Sequence, residues 1–212
     1  MTLDLVVKVG GSLIGDASLR PLLDTLDDLG QTHGLVVVPG GGPLANTVRE
    51  MDRLHAPGET AAHWMAILAM DQNAHLLAGL MHSADRVVDP AGVRRAITAG
   101  RVAILAPYSW LHDTDPLPQR WDVTSDSIAA WVAAEFHSPR LVLLKAVDGA
   151  TDGTGDLLAE ASRSLLSSLG LVDAFFAEAL APATDCWILN GRHPGRLEDL
   201  VRNGRALGTR VR

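Results

Sequence analysis

The chain has 212 residues, 47% of them hydrophobic and few of them aromatic, and carries a formal net charge of −7. That is enough chain to bury a core as one domain, or as one domain with two lobes, and the acidic balance speaks against a nucleic-acid backbone as partner. Its single cysteine, Cys186, excludes an intrachain disulfide and fits a reducing compartment. No apolar run reaches the roughly 18 residues of a membrane span, and no basic segment precedes the first apolar run, so a cytoplasmic protein with no membrane partner is expected.

In chain order, Leu3 to Val9 reads as a buried strand ending in Gly10-Gly11. A helix from Leu19 to Thr32 follows, capped by Asp16 or Ser18, with Leu19, Leu22, Leu23, Leu26 and Leu29 on one face. Leu35 to Val38 is a second strand, broken by Pro39-Gly40-Gly41-Gly42-Pro43 into a helix from Leu44 to Arg53. Pro57-Gly58-Glu59 opens a long helix to His82. A short strand is expected at Arg86–Asp89, a helix at Ala91–Thr98 and a strand at Val102–Leu105. Three prolines between Pro107 and Arg120 suggest a loop or lid, and the best seam between two lobes. Ser125 to Phe136 reads as a helix, Leu141 to Leu144 as a strand, and Asp148 to Asp156 as a glycine- and aspartate-rich turn. Helices at Ser164–Leu169 and Asp173–Leu180, a strand at Cys186–Leu189, a helix at Pro194–Val201 and a strand at Thr209–Arg212 complete the chain. Strands separated by helical patterns imply βαβ units, hence an α/β fold with a mainly parallel sheet.

Basic residues show a bias. Of eighteen, sixteen are arginine, and the two lysines are Lys8 and Lys145. Lysine is a compact point charge on a flexible stem, suited to following a phosphate as it moves; drift toward arginine with two survivors is the plain alternative. Lys8 opens Lys8-Val9-Gly10-Gly11-Ser12, where two glycines after a strand bring bare N–H groups against an anion, although a sharp turn alone needs the same residues. Three glycines at 40–42 cost chain entropy of order 1 kcal/mol each relative to alanine, which is easier to understand if their amides cradle an anion than if they form a surface turn. Both clusters belong at the carboxyl ends of strands, side by side. Neither is a Walker loop, since no Gly-Lys-Ser/Thr follows, nor a G-x-G-x-x-G dinucleotide fingerprint. Trp121-Asp122-Val123-Thr124-Ser125-Asp126-Ser127 puts Asp126 in the first turn of a helix, beside phosphates or simply favouring the helix dipole. Lys145-Ala146-Val147-Asp148-Gly149 follows the Leu141–Leu144 strand. Arg49 and Arg53 reach toward an acceptor or lie on a solvated helix face. Trp110 and Trp121 either stack on a flat ring or, as the better reading, pack in the core, and His55, His63, His75 and His82 are expected at the surface or in caps, too far apart for a metal site.

In this order along the chain, Lys8-Val9-Gly10-Gly11-Ser12, Pro39-Gly40-Gly41-Gly42, Thr124-Ser125-Asp126-Ser127 and Val147-Asp148-Gly149 resemble the motifs of the amino acid kinase superfamily. Asn190-Gly191-Arg192 and Gly208-Thr209 resemble its C-terminal part. The resemblance implies a three-layer αβα sandwich of the carbamate kinase-like kind, one domain over 1–212, with an acceptor-binding lobe at 1–120 and a nucleotide-binding lobe at 121–212. It implies a homo-oligomer and an ATP-dependent kinase of a small acidic acceptor. Thr124-Ser125-Asp126-Ser127-Ile128-Ala129-Ala130 and the helix around His63–Met70 are similar to uridylate kinases, and the whole is most similar to the furan kinases of methanofuran biosynthesis, which phosphorylate 5-(aminomethyl)-3-furanmethanol phosphate.

Carried onto this sequence, the resemblance makes Lys8, Asp126 and Lys145 catalytic. Gly10, Gly11, Ser12, Lys145, Asp148, Gly149, Asn190 and Gly191 then hold ATP, with Mg²⁺ riding on its phosphates and no protein metal site. Gly40, Gly41, Gly42, Arg49, Asp122, Thr124 and Ser125 hold the acceptor. Asp126 orients the lysines instead of acting as a strong base. The chain departs from many relatives in having no lysine after Lys145, and Lys145 sits in an imperfect register three positions before Asp148. Rival readings are a kinase of an amino-acid carboxylate or of UMP, and a non-catalytic anion- or nucleotide-binding protein on the same fold.

Overall fold

A computed structural model describes residues 2–212. In chain order the elements are β1 (Leu3–Val9), α1 (Gly11–Ile14), α2 (Leu19–Gly30), β2 (Gly34–Pro39), α3 (Gly42–His55), α4 (Glu59–Leu80), β3 (Ala84–Val87), α5 (Pro90–Thr98), β4 (Val102–Leu105), α6 (Tyr108–Thr114), α7 (Ser125–Glu135), β5 (Arg140–Lys145), β6 (Glu160–Ala161), α8 (Arg163–Ser168), α9 (Phe176–Ala179), β7 (Asp185–Asn190), α10 (Gly195–Asn203) and β8 (Thr209–Val211). The strands form one eight-stranded sheet in the order β3-β4-β2-β1-β5-β7-β8-β6. The run from β3 to β7 is parallel throughout, while β8 returns antiparallel to β7 and pairs in parallel with β6. This is the α/β sandwich that the alternating strand and helix patterns imply.

The central strands are near-continuous apolar runs because helices cover both faces. Leu5, Val7 and Val9 of β1 enter one core with α2 and α10, represented by Leu22, Leu26, Leu197 and Leu200. Val6 enters the opposite core with α5, α7 and α9, represented by Val93, Ile128 and Phe176. Side chains alternate along a strand, so Lys8 shares the face of Val6. On β5, Leu141 and Leu143 belong to that same core, and the alternation puts Lys145 on it as well. Both lysines therefore project toward α7.

The connections place them further. From β1 the chain passes to β2 on one side, and from β5 to β7 on the other, so the winding diverges between β1 and β5. Open parallel sheets bind ligands at the carboxyl ends of strands at such a point. Lys8 pairs in register with Leu143, one residue before Val9 pairs with Leu144, which puts both lysines at that carboxyl edge.

Several sequence expectations are corrected. The segment from Pro107 to Arg120 is not wholly a loop: Tyr108–Thr114 is α6. A proline is tolerated just ahead of a helix, the Tyr108 amide donates to Asp71 at 3.0 Å, and Trp110 and Leu111 are buried. The short strand lies at Ala84–Val87, earlier than Arg86–Asp89, held by full pairing with β4. The two-residue β6 and the single-turn α1 are too short to leave a periodic signal. The expected Asp173–Leu180 helix shrinks to Phe176–Ala179, and just before it the Phe175 amide donates to Asp122 O at 3.3 Å.

Candidate active site

Asp126 sits in the first turn of α7 and is buried between the two lysines. Lys145 Nζ donates to its Oδ2 at 2.7 Å, and Lys8 Nζ stands 2.9 Å from its Oδ1. Each ammonium stands within salt-bridge distance of its own carboxylate oxygen, and with three protons apiece each keeps donors for a further oxygen. Burial alone would push the Asp126 carboxyl up, but the charges of Lys8 and Lys145 outweigh it and hold the group below the usual carboxylate range. Burial, reinforced by the neighbouring Lys8 charge, lowers the pKa of Lys145 despite the attraction of Asp126. Two cations share one anion here, a local surplus of positive charge in a low-dielectric setting.

The two glycine clusters interlock. A Cβ on Gly11 would come within 2.5 Å of Gly42 N, and one on Gly40 within 2.6 Å of Gly11 N. Backbone-to-backbone approach that close admits only glycine. Gly10 N donates to Leu144 O and Gly40 N to Val9 O, both at 2.8 Å, so the turns are tied to the edges of β5 and β1. Buried Asn73 of α4 donates to Gly40 O at 2.7 Å and fixes the second turn from below. The first N–H groups of α3 have no intrahelical partner, and they open beside Lys8.

In front of these turns is a cleft of about 470 Å³. Lys8, Gly11, Ser12, Gly41 and Gly42 form its inner end; Ile67, Met70, Val123 and Ile128 form an apolar wall; Arg49, His63, Trp121, Thr124 and Ser125 complete it. Wall residues come from both sides of residue 120. Trp121 corrects the expectation of core packing: it is half-buried on the cleft, its indole N–H donates to Asp52 at 2.9 Å, and Arg49 lies over its ring at 5.6 Å. Trp110 is in the core as expected, 4.4 Å from Trp131 between ring centroids. His63, expected at the surface or in a cap, is buried and lines the cleft.

Other expected site residues lie elsewhere. Arg53 is exposed and outside the cleft. Asp122 also lies outside it and pairs with Arg120 at 3.0 Å. Asp148, Gly149, Asn190 and Gly191 occupy the far side of the lysines, at the carboxyl ends of β5 and β7. Asn190 Nδ2 and Arg196 donate to Asp148 Oδ1 at 2.8 and 2.6 Å, and in that order they hold its carboxyl below the usual range. Gly191 N donates to Lys145 O at 2.8 Å, which joins the two strand ends. Gly149 abuts Thr209, whose hydroxyl accepts from Ala150 N at 2.9 Å; its glycine serves the approach of β8.

Asp173 escaped sequence reading. Its carboxylate accepts from Thr124 N at 3.1 Å, Thr124 Oγ1 at 2.7 Å, Ser127 N at 3.1 Å and the Ser127 hydroxyl. Two of these donors belong to Thr124, two positions before Asp126, and two to Ser127, which follows it, so Asp173 clamps the turn that aims it. An acid 47 positions downstream carries no local signal, since the capping box looks only a few residues ahead.

A family model described as "Amino acid kinase family" matches residues 5–174. The chain is 30% identical to the [5-(aminomethyl)furan-3-yl]methyl phosphate kinase of Methanocaldococcus jannaschii, over 97% of this chain and 96% of that one. Among solved structures, uridylate kinase from Archaeoglobus fulgidus matches with a TM-score of 0.77 at 22% identity, covering 99% of this chain and 100% of that one. UMP kinase from Ureaplasma parvum matches at 0.74 and 17% identity, with 99% of each chain covered; these two likenesses speak for the fold. With its lysine–aspartate–lysine set at the sheet's switch point and its interlocked glycine turns, the chain belongs to the amino acid kinase family of phosphotransferases.

Proposed function

We propose that the protein transfers the γ-phosphoryl group of ATP to [5-(aminomethyl)furan-3-yl]methyl phosphate, giving the corresponding diphosphate and ADP, as a step in the making of a methanofuran-type cofactor. The observation that carries the reading is the pair of ammonium groups, on Lys8 and Lys145, gathered on one buried carboxylate beside two glycine turns. Identity to the furan phosphate kinase along nearly the whole chain supports the choice of acceptor.

The acceptor phosphate enters the cleft with its ring along the apolar wall and its oxygens at Gly41 and Gly42, while Gly10, Gly11 and Ser12 face the phosphates of ATP. Near neutral pH a phosphomonoester has lost most of its second proton, whose pKa is about 6, so its oxygen attacks without a base. The γ-phosphorus–oxygen bond to ADP breaks as the new phosphorus–oxygen bond forms in line. Lys8, which lines the cleft, offers its remaining ammonium protons to the transferring group; Lys145 neutralises charge on the donor side; Asp126 keeps both ammoniums in place. Asp148, Gly149, Asn190 and Gly191 border the nucleotide, and 121–212 is the donor lobe. A magnesium ion arriving with the nucleotide is held by its phosphates, because Asp126 is already engaged by two cations.

This reading includes the cytoplasm as its place and a homo-oligomer as its form. No helix among the described residues is long and apolar enough to cross a membrane. Leu44, Met51 and Leu54 of α3 and Met65, Leu68 and Leu76 of α4 are exposed apolar side chains on adjoining helices, a surface that favours self-association.

The test is ADP release with the aminomethyl-furan phosphate, UMP and acetylglutamate offered separately, with Asp126→Asn as the blank. We expect the furan phosphate to give the highest kcat/KM and a product that hydroxylamine does not trap. Turnover of UMP or acetylglutamate in preference to it would overturn the assignment.

A further inference from the structure

An acceptor that carries a primary ammonium needs a hydrogen-bond acceptor in its cleft. Among the described residues no carboxylate lines this one, so the partner must be neutral. Most polar side chains on the wall are already committed. Asn46 Oδ1 accepts from Arg49 at 2.9 Å, and Thr124 Oγ1 donates to Asp173. Ser12 belongs to the phosphate end, and Ser125 adjoins Asp126 at the start of α7.

His63 is placed differently. Its Nδ1 lies 3.3 Å from the carbonyl oxygen of Arg120. A carbonyl can only accept, so that nitrogen carries the proton. Burial is the largest influence on the ring and keeps its pKa below the ordinary value, against smaller opposing effects of the Arg120 carbonyl and Asp115. A neutral ring protonated at Nδ1 has a lone pair at Nε2, and Nε2 makes no hydrogen bond to a described residue. The helix supplies the distance. α4 passes the glycine turns at Asn73, which holds Gly40 O, and at Ala66, whose carbonyl lies 3.6 Å from where a Gly41 Cβ would be. His63 is one turn beyond Ala66 on the side away from Asn73, and seven residues or about 10 Å of helix from Met70 on the same wall.

We propose that His63 reads the amine of the acceptor, its Nε2 accepting a hydrogen bond from the primary ammonium on the far side of the ring from the reacting phosphate. The inference rests on the furan phosphate being the acceptor. It makes His63 a specificity-determining residue and the cleft selective for phosphomonoesters that carry a remote hydrogen-bond donor.

The experiment compares kcat/KM for the aminomethyl acceptor with that for the analogue bearing a methyl group in place of the aminomethyl group. Wild-type protein should favour the amine by tenfold or more, the worth of one charge-assisted hydrogen bond. His63→Asn puts an amide N–H where Nδ1 stands, keeping the bond to Arg120, and removes the acceptor at Nε2; it should bring the ratio near one, kcat/KM for the amine falling about tenfold more than that for the methyl analogue. His63→Gln, whose amide reaches the position of Nε2, should retain more of the preference than the asparagine variant. A wild-type ratio near one, a preference undiminished in His63→Asn, or equal loss on both acceptors in both variants would overturn the role of His63 while leaving the kinase assignment intact. No turnover of either furan phosphate by wild-type protein would instead remove the acceptor assignment itself.

Discussion

The two sides of the lysine pair are built differently. The side at β1, β2 and α4 is a formed cleft with an apolar wall and a few aimed polar groups. The other side, at the carboxyl ends of β5 and β7, has its polar groups turned on each other: Arg192 pairs with Asp16 at 2.9 Å and donates to Ala146 O at 3.2 Å, while Asp148 takes Asn190 and Arg196. A rigid cleft selects by shape before the reaction begins. Exposed ion pairs are weak in water, and they can be exchanged for phosphate at little cost. On the proposed reading, acceptor choice is set by preorganised packing and nucleotide binding by rearranged charges.

The comparison is tested most sharply at the boundary itself. Lys8→Ala should lower kcat by about 10²–10³, the loss of one donor aimed at developing charge, with the melting temperature nearly kept; near-normal turnover would sink its assigned role. Gly11→Ala strikes the interlock, where the new methyl meets Gly42 N at 2.5 Å. Overpacking of that kind costs about 1–3 kcal/mol, and thermal unfolding together with kcat should report it. If the variant is as stable and active as the parent, the turns are not wedged as described.

Asp173→Asn should cost about 1 kcal/mol through the weakened cap of α7 and should lower kcat more than it alters the KM for ATP. A drop in stability with kcat unchanged would make Asp173 a structural cap and nothing more. The pH dependence follows from Asp126. Its folded pKa is below the unfolded value of about 3.9, so its contribution to stability is present above that value and is lost as pH falls through the lower folded value. Acid unfolding followed by circular dichroism should therefore lose this component in Asp126→Asn; identical acid limbs would contradict it. The smallest effect is expected on the donor side: Arg192→Ala removes an exposed pair and should leave the melting temperature and kcat almost unchanged while shifting the KM for ATP a few-fold. A large loss of stability would show that the donor side is as rigid as the cleft.

Much of this was legible before any coordinates. Strand runs such as Leu35–Val38 announce themselves because a strand buried on both faces has no polar positions, and the turn chemistry of Gly10-Gly11 and Gly40–Gly42 marks where the strands end. The two lysines kept beside sixteen arginines mark the positions that meet on one buried carboxylate. Less legible were α6, where prolines at both ends masked a helix of about two turns, and Trp121, where the sequence could not decide between the core and a ring-stacking wall.

Local sequence by itself determined the order of strands and helices, the glycine turns and the placing of Asp126 in the first turn of a helix, since alternation, capping and backbone freedom act over a few neighbouring residues. Tertiary structure alone decided that Lys8 and Lys145, 137 positions apart, share one carboxylate, that Asp173 clamps the turn bearing it, and that His63 turns inward. Those contacts depend on which strands lie side by side and in what register, and that is settled by the packing of the whole core.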